Sequence, residues 1–141
     1  YSLQPQPTGE AQYADNSGLL TDGYYTKAGT GWKTCAGFDK ADPTLVLDLG
    51  AVYRTGAARV HLQGGGPGGV NFPERIVTAT SADGKTWVAA GETREHPPEK
   101  NTPAAAFMGL AFEPREARFV RFNFKKRGWL MLDEIEIFSS Q

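Results

Sequence analysis

Cysteine is almost absent. Cys35 is the only one, so the chain cannot close a disulfide on itself. That excludes a stapled mini-protein but decides no compartment, because a chain of this size can fold without staples. Cys35 reads as a small, half-buried side chain; Lys33 is the one group near it in sequence that could activate a thiol. Long hydrophobic runs are missing too, and no stretch is long enough to cross a bilayer as a helix. The chain starts at Tyr1 with no signal peptide, as expected of a processed or excised module. Neither sign of charge dominates: 15 Lys and Arg stand against 16 Asp and Glu, for a net charge of −1. No global field therefore draws the chain onto nucleic acid or a membrane.

Catalytic motifs are also missing. His61 and His96 are the only histidines and lack metal-ligand spacing, and there is no His-Glu-x-x-His or Gly-x-Ser-x-Gly. Nothing in the sequence brings Cys35 and His61 together as nucleophile and base. Glu134 and Glu136 share a strand face without a visible cleft, which is a poor glycosidase pair. The expectation is a protein that is not an enzyme.

What is present is a loop-rich, strand-rich pattern. The 141 residues suit one domain, residues 1–141, and 40% hydrophobic with 22% charged residues suits a folded one. The 17 glycines and 9 prolines punctuate short strands. Residues 1–18 read as an extended segment, and Asp22-Gly23 as a turn or as a loop able to offer oxygens to a hard cation. Leu45–Gly50 and Ala57–Gln63 read as strands; in the second, Ala58, Val60 and Leu62 share one face, and Arg59, His61 and Gln63 the other. Gly64–Gly69 cannot be regular structure, and it lacks the Lys-Ser/Thr ending of a phosphate loop. Ile76–Val88 reads as a hairpin turning at Asp83-Gly84, and 94–103, with three prolines, as a loop. Ala104–Phe112 permits helix or strand; Ala117–Phe124 alternates cleanly as a strand. About eight short strands without an amphipathic helix predict an all-β antiparallel sandwich of the jelly-roll kind.

The chain is organised around its last stretch. Lys125-Lys126-Arg127 is a basic tip leading into Gly128-Trp129, and a closing strand follows. Simple alternation puts Met131, Asp133, Ile135 and Ile137 on one face and Leu132, Glu134, Glu136 and Phe138 on the other. Two loops, Gly64–Phe72 and Lys125–Trp129, are expected to project from one end. A sugar needs a flat aromatic against its C–H face and planar hydrogen-bonding groups at its edge. Trp129 is the stacking candidate, with Phe72 as a second aromatic. His61, Gln63, Asn71, Arg75, Lys126 and Arg127 are the edge candidates. A basic tip would suit an acidic glycan.

The motifs fall in a recognisable order. They are Leu20-Thr21-Asp22-Gly23 before Trp32, Leu45–Gly50, Ser81–Trp87, Ala117–Phe122 and Asp133–Phe138. This order resembles the discoidin, or coagulation-factor type C, family of the galactose-binding-like fold, and within it the bacterial carbohydrate-binding modules. The terminal cysteine pair of the vertebrate domains is missing, which favours the bacterial branch. The resemblance implies core roles for Trp32 and Trp87. It also implies a structural calcium held by Asp22 and Glu134, with backbone oxygens near Leu20 and Gly23.

The expected function is a non-catalytic module that targets a larger secreted or cell-surface glycan-active protein to a polysaccharide, an acidic one if the basic tip takes part. It would be a monomer tethered to a catalytic domain, with no nucleic-acid partner and no membrane role. The alternatives are a discoidin-type adhesion domain for protein or anionic lipid headgroups, and a spacer with a degenerate site.

Overall fold

The computed structural model describes residues 1–4, 18–30 and 34–140. Trp32, Lys33 and most of the N-terminal segment lie outside these residues. Among the described residues seven strands run in chain order: β1 (Ser2–Gln4), β2 (Ala36–Phe38), β3 (Thr44–Gly64), β4 (Arg75–Ser81), β5 (Val88–Thr93), β6 (Ala104–Lys125) and β7 (Leu130–Ser139). Short 3-10 turns occupy Leu19–Thr21 and Pro67–Gly69.

All pairings between these strands are antiparallel, in the order β2-β7-β3-β6-β4-β5, with β1 on the free side of β3. β3 and β6 each join two strands expected from sequence. Their pairing slips between Asp48 and Tyr53 and again between Thr55 and Ala57, and the intervening residues 50–54 are exposed. At these bends the long hairpin turns over, and its two halves enter different layers. One layer is β1, the first part of β3, the second part of β6, β4 and β5. The other is the first part of β6, the second part of β3, β7 and β2.

The core lies between the layers. Leu45, Ile76, Val120, Phe122 and Phe124 from the first meet Val60, Leu62, Met108, Leu130, Leu132 and Ile135 from the second in one buried cluster. Alternation explains most of this, since Ala58, Val60 and Leu62 are buried as expected. Residues 104–112 are strand, because their partners Ala57–Gly64 are already extended and supply the ladder.

Two expectations need correction. In β7 simple alternation fails: His61 faces Glu134 but Leu62 faces Leu132, leaving Asp133 as an extra residue in a bulge. The bulge lets Leu130 and Leu132 enter the core along with Ile135 and Ile137, while Glu134, Glu136 and Phe138 face outward. Trp87 is not in the core. It is partly buried on the outer face of the first layer, where the Arg121 guanidinium sits 4.3 Å from its ring. The turn before it is longer than a two-residue hairpin. Asp83 Oδ1 accepts from the Lys85 and Thr86 amides, and pairing resumes only at Val88.

Candidate functional site

Both layers end at the same edge, and the loops joining them meet there. Val70 bridges Trp129, the Trp129 amide donates to Gly69 O at 2.9 Å, and the Asn71 amide donates to Trp129 O at 3.2 Å. The two loops expected to project from one end are thus zipped together. Gly128 permits the approach: a Cβ there would lie 2.4 Å from Gly69 O and 2.8 Å from Asn71 Oδ1. Trp129 is partly buried, its indole packed beside Gly69.

A third loop, residues 94–103, completes the end. Its Glu99 carboxylate accepts from Phe72 N at 2.6 Å, Asn71 Nδ2 at 3.1 Å, Gly65 N at 3.3 Å and Arg127 Nη2 at 3.2 Å. Burial alone would raise the Glu99 pKa, but these donors outweigh it and hold the carboxyl below its ordinary value. Arg127 is held a second time, because its Nη2 donates to His96 Nε2 at 2.8 Å. A guanidinium only donates, so His96 carries its proton on Nδ1, which donates to Pro97 O at 2.7 Å. The His96 ring stacks on Phe72 at 5.2 Å. His96 and Glu99 went unrecognised in the sequence because their partners at the loop end are distant in sequence and they sit in a proline-bounded loop with no periodicity.

The remaining candidates take other places. Phe72, expected to contact ligand, is fully buried and presents no surface. Its ring fills the space that a Cβ on Gly64 would enter, at 2.3 Å, so it anchors the loop and contributes about 2 kcal/mol by burial. Gln63 is buried beneath residues 24–30, with Oε1 accepting from Gly29 N and Nε2 donating to Thr26 O. His61 is buried as well. Its Nδ1 lies 2.7 Å from Asp133 Oδ1, and the Asp133 carboxylate also accepts from Thr26 N at 2.5 Å. These two edge candidates therefore tie a loop to the sheet. Arg75 is partly buried at the start of β4, opposite Lys125.

The basic tip is not an open patch of cations. Lys125 Nζ pairs with Asp42 at 3.1 Å, Lys126 Nζ donates to Asp39 O at 2.9 Å, and Arg127 is committed to Glu99 and His96. Cys35 is buried, and burial, followed by nearby Asp133, pushes its thiol up to about 12, opposite to what a nucleophile needs.

Asp22 and Glu134 do come together. Glu134 is 5% exposed and accepts the Gly23 amide at 2.8 Å. Burial raises its pKa, and the carboxylates of Asp22, Glu136 and Asp133 raise it further against the pull of the Gly23 amide. Asp22 Oδ1 accepts the Tyr24 amide. Leu20 is fully buried and pins the 3-10 turn beside them. Among the described residues, no three or more His, Cys, Asp or Glu side chains are arranged to hold a metal. Any ion here would lean on backbone carbonyls.

Solved structures share this architecture. CpGH89CBM32-6 produced by Clostridium perfringens superposes with a TM-score of 0.64 at 20% identity, over 99% of this chain and 93% of that one. CpGH89CBM32-5 from the same organism, solved in complex with GalNAc-beta-1,3-galactose, gives 0.66 at 13%, over 98% and 93%. A Ruminococcus gnavus GH29 fucosidase mutant in complex with fucose gives 0.67 at 15%, over 99% of this chain and only 24% of the enzyme. Among curated proteins, no sequence matches this chain. The sequence model of the F5/8 type C domain matches residues 6–135. With that match over most of its length, and with the bent, two-layered antiparallel fold of its structural neighbours, the chain belongs to the F5/8 type C, or discoidin-like, domain family.

Proposed function

We propose that this chain is a non-catalytic carbohydrate-binding module with its ligand site at the loop end. The observation that carries the reading is the convergence of three loops on Trp129, with Arg127, His96 and Asn71 beside it and Glu99 fixing them. A partly buried indole offers a stacking edge, and preset planar donors suit hydroxyl groups without an ordering cost. The glycan complex of one neighbour and the larger enzyme around another support the class and its tethering to a secreted or cell-surface glycan-active protein.

The ion pairs of Lys125 and Arg127, with Lys126 turned onto the Asp39 carbonyl, favour a neutral sugar over an acidic polysaccharide, and offer little to anionic lipid headgroups. A shallow site of this kind binds in roughly the micromolar to millimolar range, about −8 to −4 kcal/mol. The test is a glycan array followed by calorimetry on wild type, Trp129→Ala and Arg127→Ala. Loss of at least about tenfold with Trp129→Ala at unchanged melting temperature is expected, as removal of a stacking ring implies. Equal binding by Trp129→Ala would move the site elsewhere, and silence of the wild type on every glycan would end the reading.

The same proposal includes one structural calcium ion held by Asp22 and Glu134 with carbonyls of the Leu20–Gly23 turn. The like-charged, poorly hydrated carboxylates support it, since a divalent cation would relieve their repulsion. Calcium should raise the wild-type melting temperature and leave that of Glu134→Gln unchanged. In chelator the order should reverse, with Glu134→Gln the more stable because the repulsion is gone. A wild type indifferent to calcium would refute the ion.

A further inference from the structure

The outer face of the second layer carries a second cluster, farther along the strands from the loop end. Register places Ala111, Ala57 and Phe138 in one row across β6, β3 and β7, Gly109, Arg59 and Glu136 in the next, and Phe107, His61 and Glu134 in the third. An open, shallow depression of about 310 Å³ lies over Ala57, Gly109 and Ala111, with Arg59, Phe107 and Phe138 around it. Strand surfaces ordinarily carry β-branched or aromatic residues, so small side chains at Ala57 and Ala111 leave space that folding does not require. Gly109 has its own reason, since a Cβ there would lie 2.4 Å from Arg59 Cβ.

The rim is built from rings and one ion pair. The Arg59 guanidinium lies 3.7 Å from the Phe107 ring centroid and 5.2 Å from that of Phe138. Its Nε donates to Glu136 Oε2 at 2.5 Å, and the Tyr25 hydroxyl donates to the same carboxylate. The terminal amino groups of Arg59 have no acceptor among the described residues, and its side chain is 40% exposed. Phe138 is 43% exposed.

From this we infer that the sheet face is a second glycan subsite, taking one neutral pyranose residue. The inference rests on the carbohydrate-binding reading above. A pyranose has an apolar C–H face for Phe138, and vicinal hydroxyls that can donate to Glu136 and accept from Arg59. An anionic ligand fits poorly, because Glu136 already neutralises Arg59 and stands beside it. The volume is at the lower limit of small-ligand pockets and matches one ring rather than a long chain.

Amide chemical shifts of the isotope-labelled chain read both sites at once. The probes are methyl β-galactoside, methyl β-glucoside, N-acetylglucosamine, lactose and glucuronic acid, each to about 50 mM, above the dissociation constant expected for a weak site. The expected result is a saturable shift of Ala57, Gly109, Ala111 and Phe138 with a neutral sugar and not with glucuronic acid. Phe138→Ala, on an exposed ring, and Arg59→Lys, which keeps the charge, should each weaken that response at least about threefold. The melting temperature and the Trp129-region shifts should stay unchanged. Response confined to the loop end overturns this inference and leaves the proposed function standing. A sheet-face response with a silent loop end supports this inference and overturns the placement above, and silence at both ends overturns both.

Discussion

Glu99 shows how much of the loop end hangs on one side chain. Its carboxylate joins the loops at Gly65–Phe72 and at Arg127, so Glu99→Ala would strand four donors at once. Two of these are backbone amides in partly buried surroundings, and a loss of about 2–3 kcal/mol in urea unfolding is expected. The pH dependence has a definite sign. The folded pKa lies below the ordinary 4.5, so the stabilisation is fully present above that pH and is lost as pH falls through the folded value. The advantage of wild type over Glu99→Gln should therefore be constant near neutrality and shrink below about pH 4.5. An advantage that persists to pH 2 would show that the contacts do not depend on the charge. Nothing local in Pro98-Glu99-Lys100 announces this role, because every partner is distant in sequence.

At the scale of elements, the loop end depends on the 64–73 and 125–129 loops lying backbone to backbone. Gly128→Ala tests this directly, since its Cβ would collide with Gly69 O and the Asn71 side chain. Neither can withdraw without breaking a loop-to-loop bond, so a cost of about 1–3 kcal/mol is expected. Trp129-dependent sugar binding should weaken by more than stability alone explains, read by calorimetry below the melting transition. The β7 bulge makes the complementary point. One extra residue at Asp133 turns the acidic side chains of β7 outward and lets Asp133 reach His61 and Thr26. Alternation in Met131–Phe138 was legible, but the phase change within it was not. A bulge is set by what the partner strand pairs with, and that partner lies some seventy residues away.

For the whole molecule, the balance of charge decides how it meets a ligand. The net charge is −1, two of the three cations of the basic tip are ion-paired, and the third, Lys126, is held by the Asp39 carbonyl. Sugar binding should change less than about twofold between 0.05 and 0.5 M salt, because screening acts on unpaired charge. A steep fall with salt, or recruitment to anionic vesicles, would mean that the tip opens its ion pairs to bind.

The all-β class, most strand positions and the family were determined by the sequence itself. Periodicity, turn residues and motif order are local signals, and each is readable from neighbours along the chain. Tertiary structure alone decided the fates of individual side chains. Phe72 reads as a loop aromatic and Trp87 as a core residue of a hairpin arm, yet the first fills the core and the second covers an outer face. His61 and Gln63 fell on the polar face as alternation required, but residues 24–30 consume the hydrogen bonds of Gln63 and Asp133 takes that of His61. The Lys125–Arg127 run is cationic in sequence, but in space Asp42 and Glu99 neutralise Lys125 and Arg127 while the Asp39 carbonyl holds Lys126. The physical reason is common to all of these. Propensity and pattern are properties of a segment, whereas exposure and pairing depend on which distant segment folds against it.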